Sequence, residues 1–421
     1  MLKKISKLYL TYYIILNILI INISNFLVIK HVISYFLYSR FLLYLLIGNI
    51  IVIIINLIQK RKTNKLNYYD IIVILLIVFA IISTIFSIYQ TVALYGYKFR
   101  FEGLSSILYY ITIFYLSSYI DDKKDKKKIA YTIIITGVIQ AVYGFLQMSK
   151  SPLVETIYHN GILWAIGFTE NPNFFGTYML MSLLYTYGLL LEEKKKEIKL
   201  ILGLLSIILL IGLYISNTLS CVVGLLIAFI LIVIYSLKYK KKKELLFISL
   251  SIPIMLFLTS SVEYTTLVSD IIKTKNETVE ITKGDLNNSY GTRRVWIWKE
   301  SLKIAPKYFL TGAGLDNFPY AFEGGPLISK YGIIDKAHNE LLQILITEGL
   351  FCLLTYIVLY ATTVIKGLKN LFKKKEILIL LPVIGYLVQA QFNISSIEVA
   401  PIFYISLGLL IERNKSNKKK S

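Results

Sequence analysis

Long apolar stretches follow one another along most of the chain. A search for stretches near the roughly 17 to 25 residues that a membrane-crossing helix requires gives twelve. A bilayer offers no water to unpaired backbone groups, and barrel strands would be shorter and alternate in polarity, so these stretches predict helices. They centre near residues 8–29, 41–58, 70–90, 104–120, 129–147, 174–191, 200–215, 220–237, 245–262, 339–365, 376–393 and 399–411. The predicted fold class is an all-α integral membrane protein with about twelve transmembrane helices.

Lysine-rich runs occupy every second connection between these stretches. With three lysines near the N terminus they hold 31 of the 46 basic residues, and they lie at 60–65, 123–128, 194–199, 238–243, 366–375 and 413–420. The positive-inside rule predicts that these runs and both termini are cytoplasmic. The net charge of +21, which by itself suggests a nucleic-acid partner, is then an orientation signal, and no nucleic acid is expected as a partner.

This topology divides the 421-residue chain into four regions. Only 17% of its residues are charged, against roughly 25% in an ordinary soluble domain, which argues against a water-soluble enzyme. The regions are 1–262 with transmembrane helices one to nine, a long extracytoplasmic loop at 263–337, helices ten to twelve at 338–412, and a basic cytoplasmic tail at 413–421.

The N-terminal apolar run and the cysteines each have a plain interpretation. Lys3 and Lys4 precede an apolar run, as in a signal peptide, but the run is long and lacks a small-residue cleavage site, so an uncleaved first span is expected. Cys221 and Cys352 each lie inside an apolar stretch. They are expected to be core residues, with neither a disulfide nor a metal site.

Polar residues gather in the loops predicted to be extracytoplasmic. Arg100 lies between two aromatic residues near the membrane surface, where it is either a headgroup anchor or a ligand-binding residue. Pro172 lies between Asn171 and Asn173 and forces a turn at the entry to the sixth span. These amides are either turn residues or a cluster facing a polar ligand such as a sugar.

The long loop contains one segment with helical periodicity, about 293–305. Val295, Trp298, Leu302 and Ala305 recur at helical spacing, Thr292 precedes them as a cap, and Pro306 ends the pattern. We predict an amphipathic helix on the outer membrane surface with its tryptophans in the interface. Arg293 and Arg294 at its start oppose the helix dipole, which suggests a shared anionic partner such as phosphate; a solvated basic turn facing anionic lipid is the alternative.

His338 lies where the long loop enters the tenth span. Asp335 is expected to cap that helix and to place His338 in its first turn, where the dipole disfavours the imidazolium. A neutral histidine there could accept a proton. A lone histidine at a helix start is usually structural, but Asn339 and Glu340 follow this one.

These segments together resemble the bacterial O-antigen ligase and O-antigen polymerase superfamily, and the plan resembles GT-C-type membrane glycosyltransferases. The similarity runs from about residue 90 to 365. The matching residues are Arg294 and Trp298 in a G-R-x-x-x-W motif, Pro306 with Gly312 and Gly314 in the turn that follows, His338-Asn339-Glu340-Leu341 in an H-N-x-x-L motif, Asn171-Pro172-Asn173, and Arg100-Phe101-Glu102-Gly103.

One position departs from the family pattern. Many members carry an arginine at the start of the eighth span, where this chain has Leu219. Either Arg100 or Arg293 supplies that charge, or the donor or acceptor differs from the usual one.

The resemblance implies a membrane glycosyltransferase. Such an enzyme moves glycan from an undecaprenyl-pyrophosphate carrier to a hydroxyl of a glycan, lipid or protein acceptor on the outer face of the bacterial cytoplasmic membrane. It implies that Arg294 and Arg100, with Arg293 as a weaker candidate, hold the pyrophosphate, and that His338 activates or orients the acceptor. Asn171, Asn173, Trp298 and Asn339 are the further candidate substrate-binding residues.

Other interpretations remain beside this one. No acidic pair in the outer loop demands a metal, so we expect a metal-independent enzyme without a cofactor. A lipid-linked oligosaccharide flippase or another polytopic transporter would share the span count and the basic loops, but would carry more charges deep in its helices, where Glu348 is the main one here. A membrane scaffold protein explains the hydropathy but not the ordered motifs. Polymerase and ligase share the same donor chemistry and are not separated by the sequence.

Overall fold

A computed structural model describes the chain over residues 2–59, 66–98, 100–159, 162–260, 267–283, 289–291, 293–322, 334–411 and 413. Helices dominate these residues. In chain order they are α1 (Leu2–Ile29), α2 (Tyr35–Gln59), α3 (Tyr68–Ile85), α4 (Gln90–Tyr95), α5 (Leu104–Ser117), α6 (Lys123–Met148), α7 (Pro172–Glu192), α8 (Lys196–Ile215), α9 (Leu219–Lys238), α10 (Lys242–Ser260), α11 (Leu267–Thr282), α12 (Arg294–Ile304), α13 (Phe318–Ala321), α14 (Glu340–Glu348), α15 (Leu350–Lys374), α16 (Leu380–Gln389) and α17 (Ala400–Ile411). A short 3₁₀ turn, Ala305–Tyr308, follows α12.

Each of the twelve predicted apolar stretches contains a helix. In the described part of the chain, eight helices are long and apolar enough to cross a membrane, namely α1, α2, α3, α6, α7, α8, α9 and α15. Three more, α5, α16 and α17, are apolar but shorter. The prediction of a helical membrane protein is confirmed in this coarse form, and the count of twelve spans stays a prediction.

The packing suits a chain whose solvent is lipid. Residues 174–191 of α7 are all buried, so this helix forms the centre of the bundle with α6, α8, α9 and α16 around it. On α2, by contrast, apolar side chains such as Ile54 and Ile58 are 50% and 67% exposed. Apolar residues that face outward along a whole helix are costly in water and favourable in a bilayer. Cys221 and Cys352 are buried free thiols, as expected.

Two features of the fold were not predicted. Strands β1 (Ile157–His159) and β2 (Ile162–Trp164) form an antiparallel hairpin that pairs Ile157 with Trp164. The long loop contains α11 in addition to its predicted helix. Both are too short or too polar to leave a strong periodic signal.

The predicted tenth span, 339–365, is wrong as one continuous helix. Gly349, at a φ of +83°, separates α14 from α15. The backbone N–H of Leu350 donates to the carbonyl oxygen of Phe309 at 2.7 Å instead of continuing α14. A β-carbon on Gly349 would come within 2.5 Å of the Leu310 oxygen, so the break needs glycine for space as well as for its φ.

The two ends of the bundle carry different charges. Lys123 pairs with Glu376 at 3.0 Å, Lys127 pairs with Glu193 at 3.3 Å, and Arg413 pairs with Asp70. These contacts gather the described basic runs at one end, which we call the lysine end. His338 lies at the opposite end, the histidine end, and α15, with 25 residues, spans about 37 Å between them. The basic run at 60–65 and residues 414–421 of the tail lie outside the described residues.

The surface helix occupies the predicted place but presents a different face. Its buried stripe is Ile297, Ser301 and Ala305, which are four residues apart, because α12 packs against α14 and the 3₁₀ turn. Leu302 and Ala305 belong to the apolar stripe predicted to face the membrane interface; Leu302 is 60% exposed, whereas Ala305 is buried. Arg293 occupies the N-cap position with a φ of +71°, and Thr292 lies outside the described residues. α12 therefore packs on the protein mainly through a stripe other than the predicted apolar one, Leu302 faces away from the protein, and the position of the helix on the membrane surface stays a prediction.

Candidate functional site

Arg100 is held by carboxylates at the histidine end. Its Nε donates to Oδ2 of Asp335 at 2.6 Å, and its Nη1 lies 4.0 Å from Oε2 of Glu170. The guanidinium also lies over the ring of Phe174, 5.6 Å from the ring centre. Burial opposes the charge of Arg100, but the carboxylates of Asp335, Glu170 and Glu398 together raise its pKa. Arg100 is thus a fixed, permanently charged group and not a loose headgroup anchor.

Asp335 does not cap the following helix, so that prediction is wrong. The cap of α14 is Asn339, whose side-chain oxygen accepts from the backbone N–H of Leu342 at 2.9 Å. His338 therefore precedes the cap with a φ of +50° and is not in the first turn. Asp335 binds Arg100 instead, a partner 235 positions away that sequence spacing does not reveal.

His338 lies in an environment that keeps it neutral. Burial, followed by the charge of Arg294, lowers the pKa of His338 to about 4, although Asp335 opposes the shift. The neutral state was expected from the dipole of α14, and the structure gives burial as its main cause. Nδ1 of His338 is buried and has no hydrogen-bond partner within the described ranges. A neutral imidazole with a shielded ring nitrogen is suited to hydrogen-bond a substrate hydroxyl.

Arg294 and His338 are brought together by Trp298. The indole N–H of Trp298 donates to the carbonyl oxygen of Ala337 at 3.0 Å, which ties α12 to the residue before the histidine. Arg294 begins α12 one turn before Trp298, and partial burial lowers its pKa. Arg293 is exposed on the other side of the helix start. Trp298 consequently positions the two candidate catalytic residues.

The candidate amide residues are used within the protein. Asn171 caps α7 by accepting from the backbone N–H of Asn173 at 2.9 Å, so the turn interpretation accounts for it. The side chain of Asn339 caps α14 and also donates to the carbonyl oxygen of Gln391 at 3.0 Å. The structure places Asn173 at the first turn of α7, beside Asn171. Capping therefore explains Asn171 and Asn339 without a ligand.

A buried ion cluster beside the site was missed by sequence reasoning. Lys336, 3% exposed, pairs with Glu102 at 3.0 Å and with Asp316 at 2.7 Å. Burial opposes its charge, but the two carboxylates more than compensate and raise the pKa of Lys336. Asp316 also accepts from the backbone N–H groups of Tyr97 and Glu102. The cluster thus joins the loop before α5 to Asp316, which precedes α13, and to Lys336, which precedes α14.

A small polar cavity adjoins this cluster. It has a volume of about 50 Å³, room for a few water molecules, and its walls include Glu102, Lys336, Glu340 and Glu348. Glu340, 7% exposed, accepts from the hydroxyl of Tyr360 at 3.2 Å. Glu348, expected to be the main ionisable group within the helices, is 6% exposed, and Glu340 at the first position of α14 is a second buried carboxyl group beside the cavity.

No group of three or more histidine, cysteine and acidic side chains is placed to bind a metal in the described part of the chain. Metal independence itself stays a prediction.

Part of the chain is similar to a known protein family. Residues 204–357 match the family model described as O-antigen ligase. This match supports the O-antigen ligase and polymerase superfamily. It covers about a third of the chain and contains Arg294, Trp298 and His338, whereas Arg100 and Asn171 lie outside it. A comparison with curated proteins gives no match.

The similarity to the O-antigen ligase family indicates a general role. Its members process glycans in bacterial membranes, and the family implies a glycosyltransferase-like enzyme with lipid-linked glycan substrates. The apolar helices agree with that setting.

Proposed function

We propose that the protein transfers a glycan from an undecaprenyl-pyrophosphate carrier to an acceptor hydroxyl on the extracytoplasmic face of the cytoplasmic membrane. One observation carries this proposal. Arg100 binds Asp335 at 2.6 Å, and Trp298 ties the helix that Arg294 begins to Ala337 at 3.0 Å, so both guanidiniums are held to the short segment that contains His338. Cations beside a neutral hydrogen-bonding group suit an anionic leaving group and a hydroxyl acceptor.

Arg294 and Arg100 would stabilise the charge that develops on the departing pyrophosphate. The Nε of Arg100 is already bonded to Asp335, so Arg294 is expected to contribute more. Fixed guanidiniums bind phosphate oxygens in pairs and need no metal for this role. Arg293, exposed at the helix start, is the weaker candidate and would take part only through a shift of its side chain.

His338 would orient the acceptor. Its Nδ1 is shielded and the charge of Arg294 acts on the imidazole, so a hydroxyl that donates to Nδ1 would be held close to the leaving group. A base works best when its pKa is near the working pH, and the pKa of His338 is about 4. The imidazole is therefore better suited to orienting the hydroxyl than to removing its proton.

A lipid tail needs an apolar approach to this site. Leu302 on α12 and the adjacent Phe309 and Leu310 are 60%, 43% and 64% exposed. They lie on the segment between Arg294 and the break at Gly349, and we propose that they contact the carrier lipid or the surrounding bilayer.

A transporter remains the second candidate, and one observation favours it. Glu340 and Glu348 are buried beside the polar cavity, and ionisable groups at such depth are typical of proton-coupled or ion-coupled carriers. A flippase would use them without making a glycosidic bond.

Reconstitution separates these functions. The purified protein would be placed in liposomes with undecaprenyl-pyrophosphate oligosaccharide and a soluble or lipid acceptor, with and without EDTA. Longer glycan chains indicate a polymerase, and transfer to the added acceptor indicates a ligase. Movement of the donor between leaflets without a new bond would contradict the proposal and indicate a flippase. Activity that disappears with EDTA would contradict metal independence.

A further inference from the structure

Glu170 is a half-buried carboxylate at the site, and the sequence motifs do not assign it any role. We propose that Glu170 is the group that removes the proton from the acceptor hydroxyl. This inference rests on the proposed glycosyl transfer and adds the base that the neutral His338 does not provide.

The backbone around Glu170 is fixed on both sides. Thr169 is fully buried, and its hydroxyl donates to the carbonyl oxygens of Ile166 at 2.8 Å and Asn171 at 3.0 Å. Asn171 in turn caps α7. Glu170 is therefore held between the hairpin and the first turn of the central helix, and its side chain is still 29% exposed.

Glu170 and Asp335 share Arg100 unequally. Asp335 has the close contact, 2.6 Å from Nε, whereas Oε2 of Glu170 lies 4.0 Å from Nη1, which is too far for a hydrogen bond. That oxygen is shielded from solvent and accepts no hydrogen bond from the residues that the structure describes. Arg100 therefore compensates the negative charge of Glu170 only in part, and this carboxylate can accept a proton.

The surrounding charges give the two carboxyl groups different pKa values. Burial raises the pKa of Asp335, but the Arg100 guanidinium offsets this and leaves the pKa below its usual value. Burial and then the carboxylate of Glu398 raise the pKa of Glu170 to about 7; Arg100 opposes the shift, and Asp335 adds to it. Two neighbouring carboxyl groups with divergent pKa values are typical of one ionised positioning group and one proton-transfer group.

The step balances as follows. The acceptor oxygen forms a bond to the anomeric carbon of the donor glycan while its proton passes to the Glu170 carboxylate. The bond between the anomeric carbon and the pyrophosphate oxygen breaks, and the lipid pyrophosphate leaves with the electron pair. The proton on Glu170 is then released to water, and no metal or further reactant is required.

The test compares three variants of the full-length protein in liposomes. Glu170→Gln removes the base but keeps the shape, Glu170→Asp keeps a carboxyl group, and Glu155→Gln is the matched control. Glu155 is an acidic residue on the neighbouring loop that lies 3.6 Å from His31 and is 50% exposed. Each protein is assayed for initial transfer rate between pH 5.5 and 8.5 and, separately, for binding of radiolabelled lipid-linked donor.

We expect the wild-type rate to rise with pH through about 7 and then to level, because the ionised form of Glu170 is the active one. Glu170→Gln should lower the plateau rate by about 10²–10⁴-fold and remove this rise, with donor binding unchanged. Glu170→Asp should keep the rise at a reduced rate, and Glu155→Gln should match the wild type.

Two results would overturn the inference while leaving glycosyl transfer intact. One is a Glu170→Gln variant that keeps the wild-type rate and pH profile. The other is a loss of donor binding in both Glu170 variants, which would indicate a role in holding the loop. If the wild type and the Glu155→Gln control form no glycosidic bond at all, the proposed function fails together with the inference.

Discussion

The lysine end and the histidine end use charged residues in opposite ways. At the lysine end some pairs are open to solvent, such as that of Lys123, whose side chain is 58% exposed in its contact with Glu376, although Arg413 is only 4% exposed beside Asp70. At the histidine end Lys336 is buried between two carboxylates that are themselves buried. Water screens the first kind of pair and leaves the second unscreened. The number of charges at an end therefore says little about which end carries the chemistry.

The largest effect is expected from Lys336→Met. It leaves the carboxylates of Glu102 and Asp316 buried without their cation, and the loss of one partner from a buried pair costs about 3–5 kcal/mol. Denaturant unfolding in detergent would measure the loss. The control is Lys303→Met, which removes a 69% exposed lysine of α12. Equal unfolding midpoints for the two variants would contradict the view that the buried cluster stabilises the fold more than an exposed pair does.

Arg294→Ala should come next. If Arg294 stabilises the leaving pyrophosphate, the transfer rate should fall by about 10²–10³-fold, the usual effect of removing one charge-stabilising donor. Lys303→Ala on the same helix should leave the rate near the wild-type value, because that lysine pairs only with Glu300 among the contacts described. Initial rates in liposomes would show the difference. Similar rates for Arg294→Ala and Lys303→Ala would exclude the assigned role.

His338→Gln tests whether His338 affects the transfer rate without affecting its pH dependence. With a pKa near 4, the imidazole stays neutral from pH 5.5 to 8.5, so its replacement should lower the rate by roughly 10²-fold without moving the pH dependence. His31→Gln is the control, because His31 is 80% exposed beside Glu155. A pH profile that becomes flat in His338→Gln would make His338 the base.

Asp335→Asn should have a moderate effect with a defined direction. The change removes the ion pair that fixes Arg100, and a loss of roughly tenfold in rate corresponds to about 1.4 kcal/mol. The negative charge of Asp335 also raises the pKa of Glu170, so its removal should move the pH limb toward acid. A shift of the pH dependence toward alkaline pH would contradict the proposal that Asp335 and Glu170 share Arg100.

The smallest effect is expected from Lys123→Ala at the lysine end. Its pair with Glu376 is exposed and screened, so the stability loss should stay below about 1 kcal/mol, and the transfer rate should not change. Denaturant unfolding and initial rates on the same preparation would check both. A loss as large as that of Lys336→Met would show that the lysine end is also a structural centre.

The sequence predicts the helices well because twenty or so apolar residues leave a bilayer-embedded chain few alternatives. It also selects Arg294, Trp298 and His338, since their spacing matches a known pattern. It does not predict the ion cluster, because Lys336 pairs with Glu102 from a loop 234 positions earlier. Nor does it predict the face of α12, where Val295 and Ile297 are equally apolar and only the position of α14 selects Ile297.

The distance along the chain between Arg100 and Asp335 constrains how the protein is made. At 5–20 residues per second, roughly 10 to 50 seconds separate the synthesis of the two partners. During that interval Arg100 and Glu102 lack their partners Asp335 and Lys336. The histidine end is thus incomplete until the segment before α14 is made. The site is therefore a product of late insertion, and translation that pauses within 103–334 leaves it unformed.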